Sequence, residues 1–194
     1  MLYKRSIEKD DIALLPPMEF EGEIIMVETL EGAKKAFALL AQEKVVGFDT
    51  ETRPSFSKGE SYLPAILQLA TTERAYLFRL DFYKPPQELV DFLSNAEILK
   101  VGVGILDDLR GLNKLIEFKP DGYIDLARVA KENDIENFGL RALTAIFLDK
   151  RLLKGAKVTN WEMKKLSNAQ IAYAATDAVV GLLIYEKMKS FGMV

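Results

Sequence analysis

Neither cysteine nor histidine occurs in this 194-residue chain. The first absence excludes disulfides, a thiol nucleophile and zinc sites built on thiolates. The second excludes more. No imidazole can act as a general base, complete a Ser-His-Asp triad or ligate a metal. Any metal must be held by oxygen, and oxygen-only sites favour hard cations such as magnesium, manganese or calcium. Long apolar runs are also missing, so no segment reads as a membrane span. Residues 1–11 are too charged for a secretory signal, which makes a cytoplasmic location the expectation. There is no internal repeat, low-complexity tract or long linker.

What is present is ordinary for a globular domain with a sizeable core: 49% apolar and 28% charged residues. With 29 acidic against 26 basic residues, the net charge is −3. That balance argues against broad non-specific affinity for nucleic acid. It leaves room for a local basic strip beside an acidic metal site.

Residues 1–22 contain Pro16-Pro17 and mixed charge, and read as an arm packed on a single domain of residues 23–194. Strands are expected at 23–27, 45–50, 62–70, 75–78, 98–103 and, as a short one, 123–126. Helical spacing marks 30–42, with Thr29 as its N-cap, and 87–93, 106–115, 127–131, 140–148 and 169–189. The segment 149–161 is a long basic loop. Strands lead, strands then alternate with helices, and helices close the chain. That order predicts an α/β domain with a mixed sheet.

Three acidic sites punctuate this pattern. In Val45-Val46-Gly47-Phe48-Asp49-Thr50-Glu51-Thr52, the acids stand two apart at a strand end. Strand side chains alternate, so Asp49 and Glu51 share a face. Their repulsion is tolerable with a divalent cation between them, or with both acids in solvent. In Gly102-Val103-Gly104-Ile105-Leu106-Asp107-Asp108, glycines turn a strand into a helix whose first turn holds two aspartates. Adjacent helix residues point about 100° apart, so at most one faces the first pair; Asp107 suits simple capping. In Tyr173-Ala174-Ala175-Thr176-Asp177, Tyr173 and Asp177 share a helix face amid small residues. An aspartate there is costly unless it is paired, solvated or bound to a cation.

Asp-x-Glu on a strand, Asp at a strand-to-helix turn and Tyr-x-x-x-Asp on a late helix resemble the DEDD exonuclease superfamily. The subclass is the one with tyrosine in the third motif, and the chain is similar to Werner-syndrome-type exonuclease domains and, more distantly, to ribonuclease D. The family pattern Gly-Val-Gly-Ile-x-x-Asp puts the second-motif acid on Asp108. Lys58-Gly59, Ala65-Ile66-Leu67-Gln68-Leu69, Tyr76-Leu77-Phe78 and Lys157-Val158-Thr159-Asn160-Trp161 extend the likeness, with Thr159 in place of the family's Ser. It covers residues 24–188. Five segments in the right order are far more specific than any one alone.

The resemblance implies a ribonuclease H-like mixed β-sheet flanked by helices and a 3′→5′ exonuclease using two divalent cations, Mg2+ or Mn2+. It implies that Asp49 bridges both ions and that Glu51 and Asp177 hold the one on the nucleophile side. Asp108 reaches the second ion mainly through water. Tyr173 orients the attacking water, since a phenol is a poor base at neutral pH. The product is nucleoside 5′-monophosphates, and the partner is a DNA or RNA 3′ end. Lys150, Arg151, Lys154 and Lys157 form a basic loop that either touches phosphates or is merely solvated; Lys157 is the best single candidate. Trp161 either stacks on a base or sits in the core. Phe56 and Tyr62 either line the terminal-nucleotide pocket or pack. Gln68 reads as a satisfied sheet residue. Without an accessory nucleic-acid domain, low processivity is expected unless a helicase, another accessory partner or a second copy supplies grip. The alternatives are a silent nucleic-acid-binding module on the same fold and a phosphohydrolase of small nucleotides.

Overall fold

The structure is a computed structural model and describes residues 3–57, 59–153, 155 and 158–194. Its centre is a six-stranded sheet in the order β1-β4-β3-β2-β5-β6. The strands are β1 (Glu23–Val27), β2 (Val45–Thr52), β3 (Pro64–Ala70), β4 (Arg74–Arg79), β5 (Leu99–Gly102) and β6 (Tyr123–Asp125). β3 is antiparallel to both of its neighbours, while β1 with β4, β2 with β5 and β5 with β6 pair in parallel. The mixed α/β architecture matches the expectation, as do most element bounds to within one or two residues.

β3 and β4 read as nearly continuous apolar runs because both of their faces are covered. On one face lie α2 (Leu30–Leu40), α3 (Gln87–Leu93) and α4 (Ile105–Leu115). Phe37, Phe92 and Leu112 from these helices pack with Phe48, Leu67 and Phe78 from the sheet. Thr29 caps α2 as expected, accepting the amide of Gly32 at 3.1 Å. On the other face lie α5 (Leu126–Glu132), α6 (Leu140–Leu148) and α7 (Asn168–Ser190). Ser167 and Gln170 start α7 with a reciprocal capping box.

α7 has no single apolar stripe, because it is buried on more than one side. Ala174, Ala175 and Ala178 lie with Ile66, Ala70 and Leu77 of the sheet. Val180, Ile184 and Met188 lie with Leu143 and Phe147 of α6. At its closest approach the carbonyl of Ala178 stands over Gly47 of β2, where an added Cβ would be 2.0 Å from that oxygen. Only glycine allows this contact. Among the described residues, no helix is long and apolar enough to cross a membrane.

Residues 1–22 hold a short helix that was not anticipated, α1 (Lys9–Leu14). Six mixed-charge residues with one buried side chain, Ile12, carry too little periodicity to be read. The segment is tied to the domain. The amide of Met18 donates to the carbonyl of Arg151 at 2.8 Å, and that of Arg151 to Pro16 at 2.9 Å. Tyr3 packs against Phe147 and Phe191.

The close approach of α7 makes a direct prediction. Gly47→Ala lowers unfolding stability in urea by about 1–3 kcal/mol through overpacking.

Candidate active site

Alternation along β2 sorts its side chains. Val46 and Phe48 enter the core under α2–α4. Gly47, Asp49 and Glu51 therefore face α7. Asp177 immediately precedes Ala178, the residue seated over Gly47, so the same close approach delivers its carboxylate to the strand end. One carboxylate oxygen from each of Asp49, Glu51 and Asp177 lies within 4.8 Å of the others.

Asp108 arrives from the other side. Thr50 projects opposite to its two acidic neighbours, and its hydroxyl donates to Asp108 Oδ1 at 2.6 Å. Asp107 turns away and pairs with Arg110 at 2.8 Å. The two aspartates thus face different ways, Asp108 toward Thr50 and Asp107 toward Arg110. Asp125 fixes the turn between β5 and α4. Its Oδ1 accepts the amide of Gly104, at φ +82°, and that of Ala127, each at 3.0 Å.

Charges this close perturb one another. Burial, then the charges of Asp108, Asp177 and Glu51, push the Asp49 carboxyl well above the usual range. Asp108 is pushed up to about 6, chiefly by burial and against the opposing bond from Thr50. Tyr173 is raised too, by burial first and then by the Asp177 carboxylate, which accepts its hydroxyl. The phenol therefore stays protonated and acts as a donor.

The donor set fits hard divalent cations. It is all oxygen, converges within a few ångströms and repels itself without a counter-charge. Gln68 adds a second sign. It stands directly opposite Asp49 across the β2–β3 ladder, so the two share a face. It was expected to be satisfied; instead it is fully buried, and neither amide atom finds a partner among the described residues. Such a group is one that ordered water at a hydrated ion would satisfy.

The expected substrate residues fare unevenly. Trp161 is 0% exposed, so base stacking is excluded and the core alternative holds. The indole lies against Tyr173, ring centroids 6.2 Å apart, within the cluster that includes Ala65 and Leu77. Arg151 donates its Nε to the Leu15 carbonyl at 2.8 Å and so serves the N-terminal arm. Phe56 is 85% exposed. Tyr62 is partly buried, with Arg53 over its ring at 4.4 Å and its hydroxyl donating to Glu60 at 3.1 Å. Lys154 and Lys157 lie outside the described residues. Sequence reasoning passed over Thr50, Asp125 and Arg53. The first was legible in principle, since the alternation that pairs Asp49 with Glu51 sends Thr50 toward α4.

A strand-end cluster of carboxylates with a phenol beside it is suited to metal-dependent hydrolysis of phosphoesters. A family model described as 3′-5′ exonuclease matches residues 24–191, and the chain belongs to that family. It is 34% identical over 201 residues to the mouse bifunctional 3′-5′ exonuclease/ATP-dependent helicase WRN, covering 97% of this chain and 14% of that protein. It is 30% identical over 198 residues to a 3′-5′ exonuclease of Arabidopsis thaliana, covering 90% of this chain and 66% of that one. The chain thus spans less than two thirds of the length of either relative. In fold it is similar to the crystal structure of the Aedes aegypti Nibbler EXO domain, with a TM-score of 0.78, 20% identity and 88% of each chain covered.

Two predictions test the site. Thr50→Val raises the Mn2+ concentration needed for half-saturation about tenfold in an electron paramagnetic resonance titration, and Thr50→Ser restores it. The second concerns pH. Asp108 has a folded pKa of about 6 against an ordinary 3.8, so between those values the folded state holds the extra proton and loses it as pH rises. Metal-free stability conferred by that proton is full below about pH 4 and is lost through about pH 6. Saturating Mg2+ therefore raises Tm at about pH 7.5 and does so much less at about pH 5, by differential scanning fluorimetry.

Proposed function

We propose that the chain removes nucleotides one at a time from the 3′ end of a nucleic-acid strand and releases nucleoside 5′-monophosphates. The observation that carries this reading is the convergence of Asp49, Glu51 and Asp177 within 4.8 Å, with Asp108 held alongside by Thr50. Membership of the 3′-5′ exonuclease family supports the direction of attack.

Two divalent cations, Mg2+ or Mn2+, supply when bound the positive charge that clamps the anionic phosphodiester and acidifies the attacking water. Asp49, Glu51, Asp108 and Asp177 would hold them, Asp49 sitting between the others. Tyr173 is kept protonated by burial and by Asp177, so it orients the water by hydrogen bonding through its phenol oxygen and does not remove its proton. Trp161 backs the Tyr173 ring and limits its movement. Phe56, exposed on the loop after β2, would stack on the terminal base, and Lys157, outside the described residues, would contact a phosphate by the motif likeness alone. A helicase partner or a second copy would add grip; the mouse relative's name, which joins exonuclease to helicase, supports the former.

A 5′-labelled single-stranded oligomer incubated with Mg2+ or Mn2+ gives a ladder shortening from the 3′ end, and EDTA abolishes it. DNA and RNA oligomers run side by side reveal the preferred sugar. Binding without any ladder would mean a silent binding module, and neither binding nor cleavage would point to small nucleotides. Asp49→Asn lowers kcat at least about a thousandfold while leaving the unfolding transition in place, because it removes a charged ligand at nearly constant volume. Tyr173→Phe lowers kcat by about 10- to 100-fold with unchanged Mn2+ affinity in the same titration; lost affinity there would give the phenol a different role.

A further inference from the structure

We propose that Arg53 receives a backbone phosphate of the bound strand, one that is not being cleaved, after exchanging it for Glu162. The inference rests on the exonuclease reading above. Arg53 is the first residue after β2 and stands two beyond Glu51 in the sequence, just past the strand end that carries the acids. Its guanidinium carbon lies 4.4 Å from the centroid of the Tyr62 ring. Its Nη1 lies 3.4 Å from Glu162 Oε2. Glu162 follows Trp161, whose ring backs Tyr173. One guanidinium thus joins the loop after β2 to the segment before α7, the two stretches that flank the cluster.

Each contact has a physical reading. Tyr62, whose hydroxyl donates to Glu60, offers an aromatic face 4.4 Å from the guanidinium carbon, and cation–π attraction there restrains the arginine. An arginine restrained in this way is prepared for two-pronged binding of a phosphate. Glu162 balances its charge, but weakly: the two side chains are 44% and 36% exposed, and the contact is long. A wet ion pair of this kind is easily exchanged. The released Glu162 returns to water at little cost. The other arginines at this end of the sheet are committed elsewhere. Arg79 is fully buried and donates to the Met163 carbonyl at 2.7 Å, and Arg110 is paired with Asp107. A polyanion approaching four carboxylates needs positive charge near its entry, and Arg53 is the described arginine placed to supply it.

The test is steady-state cleavage of a 5′-labelled oligonucleotide across a salt series, together with anisotropy of a fluorescein-labelled oligonucleotide as a binding readout independent of turnover. Arg53→Ala raises KM about tenfold, changes kcat less than about threefold and reduces the salt slope of binding by about one. Arg53→Lys recovers only part of the loss. Glu162→Gln acts in the opposite direction and tightens binding, because the competing carboxylate is gone. Unchanged KM and salt slope in Arg53→Ala would overturn the proposal, and so would weakened binding in Glu162→Gln, which would make the pair purely structural. If the unmodified protein binds strands but never cleaves them, the exonuclease reading fails, while the anisotropy comparison still decides the role of Arg53.

Discussion

Mutual repulsion among the carboxylates is the constraint to which the rest of the structure answers. Oxygens of Asp49, Glu51 and Asp177 within 4.8 Å of one another repel, when ionised, by on the order of 3 kcal/mol per pair near a protein surface. A flexible chain would let them part. Here β2 is an interior strand paired on both sides, and α7 presses on it so closely that Gly47 has no room for a side chain. The capping box at Ser167 and Gln170 fixes where α7 begins, and hence which of its residues meets the strand end. Rigidity elsewhere in the fold holds together what electrostatics would separate, which is how a site is organised before its ligand arrives.

The fourth acid is handled differently. Asp108 reaches the cluster from the opposite face of the sheet, along a helix whose start is pinned by Asp125 at a left-handed glycine. The hydroxyl of Thr50 grips it. A single strand therefore organises the site from both faces: two carboxylates toward α7, one hydroxyl toward α4.

Much of this was legible before any coordinates, because the relevant spacings are local. Two residues on a strand and four on a helix each fix a shared face, and this brought out Asp49 with Glu51 and Tyr173 with Asp177. The mixed sheet followed from the alternation of apolar runs and helical periods. What was not legible depends on contacts distant in sequence. Trp161 sits in a loop with no periodicity, so nothing local says whether its ring points in or out. Arg151 looked like part of a basic strip, and only the return of the N-terminal arm, more than a hundred residues away in sequence, shows its side chain bonded to the Leu15 carbonyl. Gln68 looked like a satisfied sheet residue, because a ladder position tells nothing about the amide at the end of the side chain. Arg53 gained its interest from Tyr62 and Glu162, neither of which stands at a regular spacing from it.

The central claim is that these four carboxylates hold divalent cations. It is tested most directly by anomalous diffraction from crystals soaked in Mn2+. The account predicts two anomalous peaks: one within about 2.0–2.6 Å of oxygens of Asp49, Glu51 and Asp177, and a second beside Asp49 on the Asp108 side. Peaks elsewhere on the surface with none at the cluster, in crystals that retain this arrangement of side chains, would contradict it.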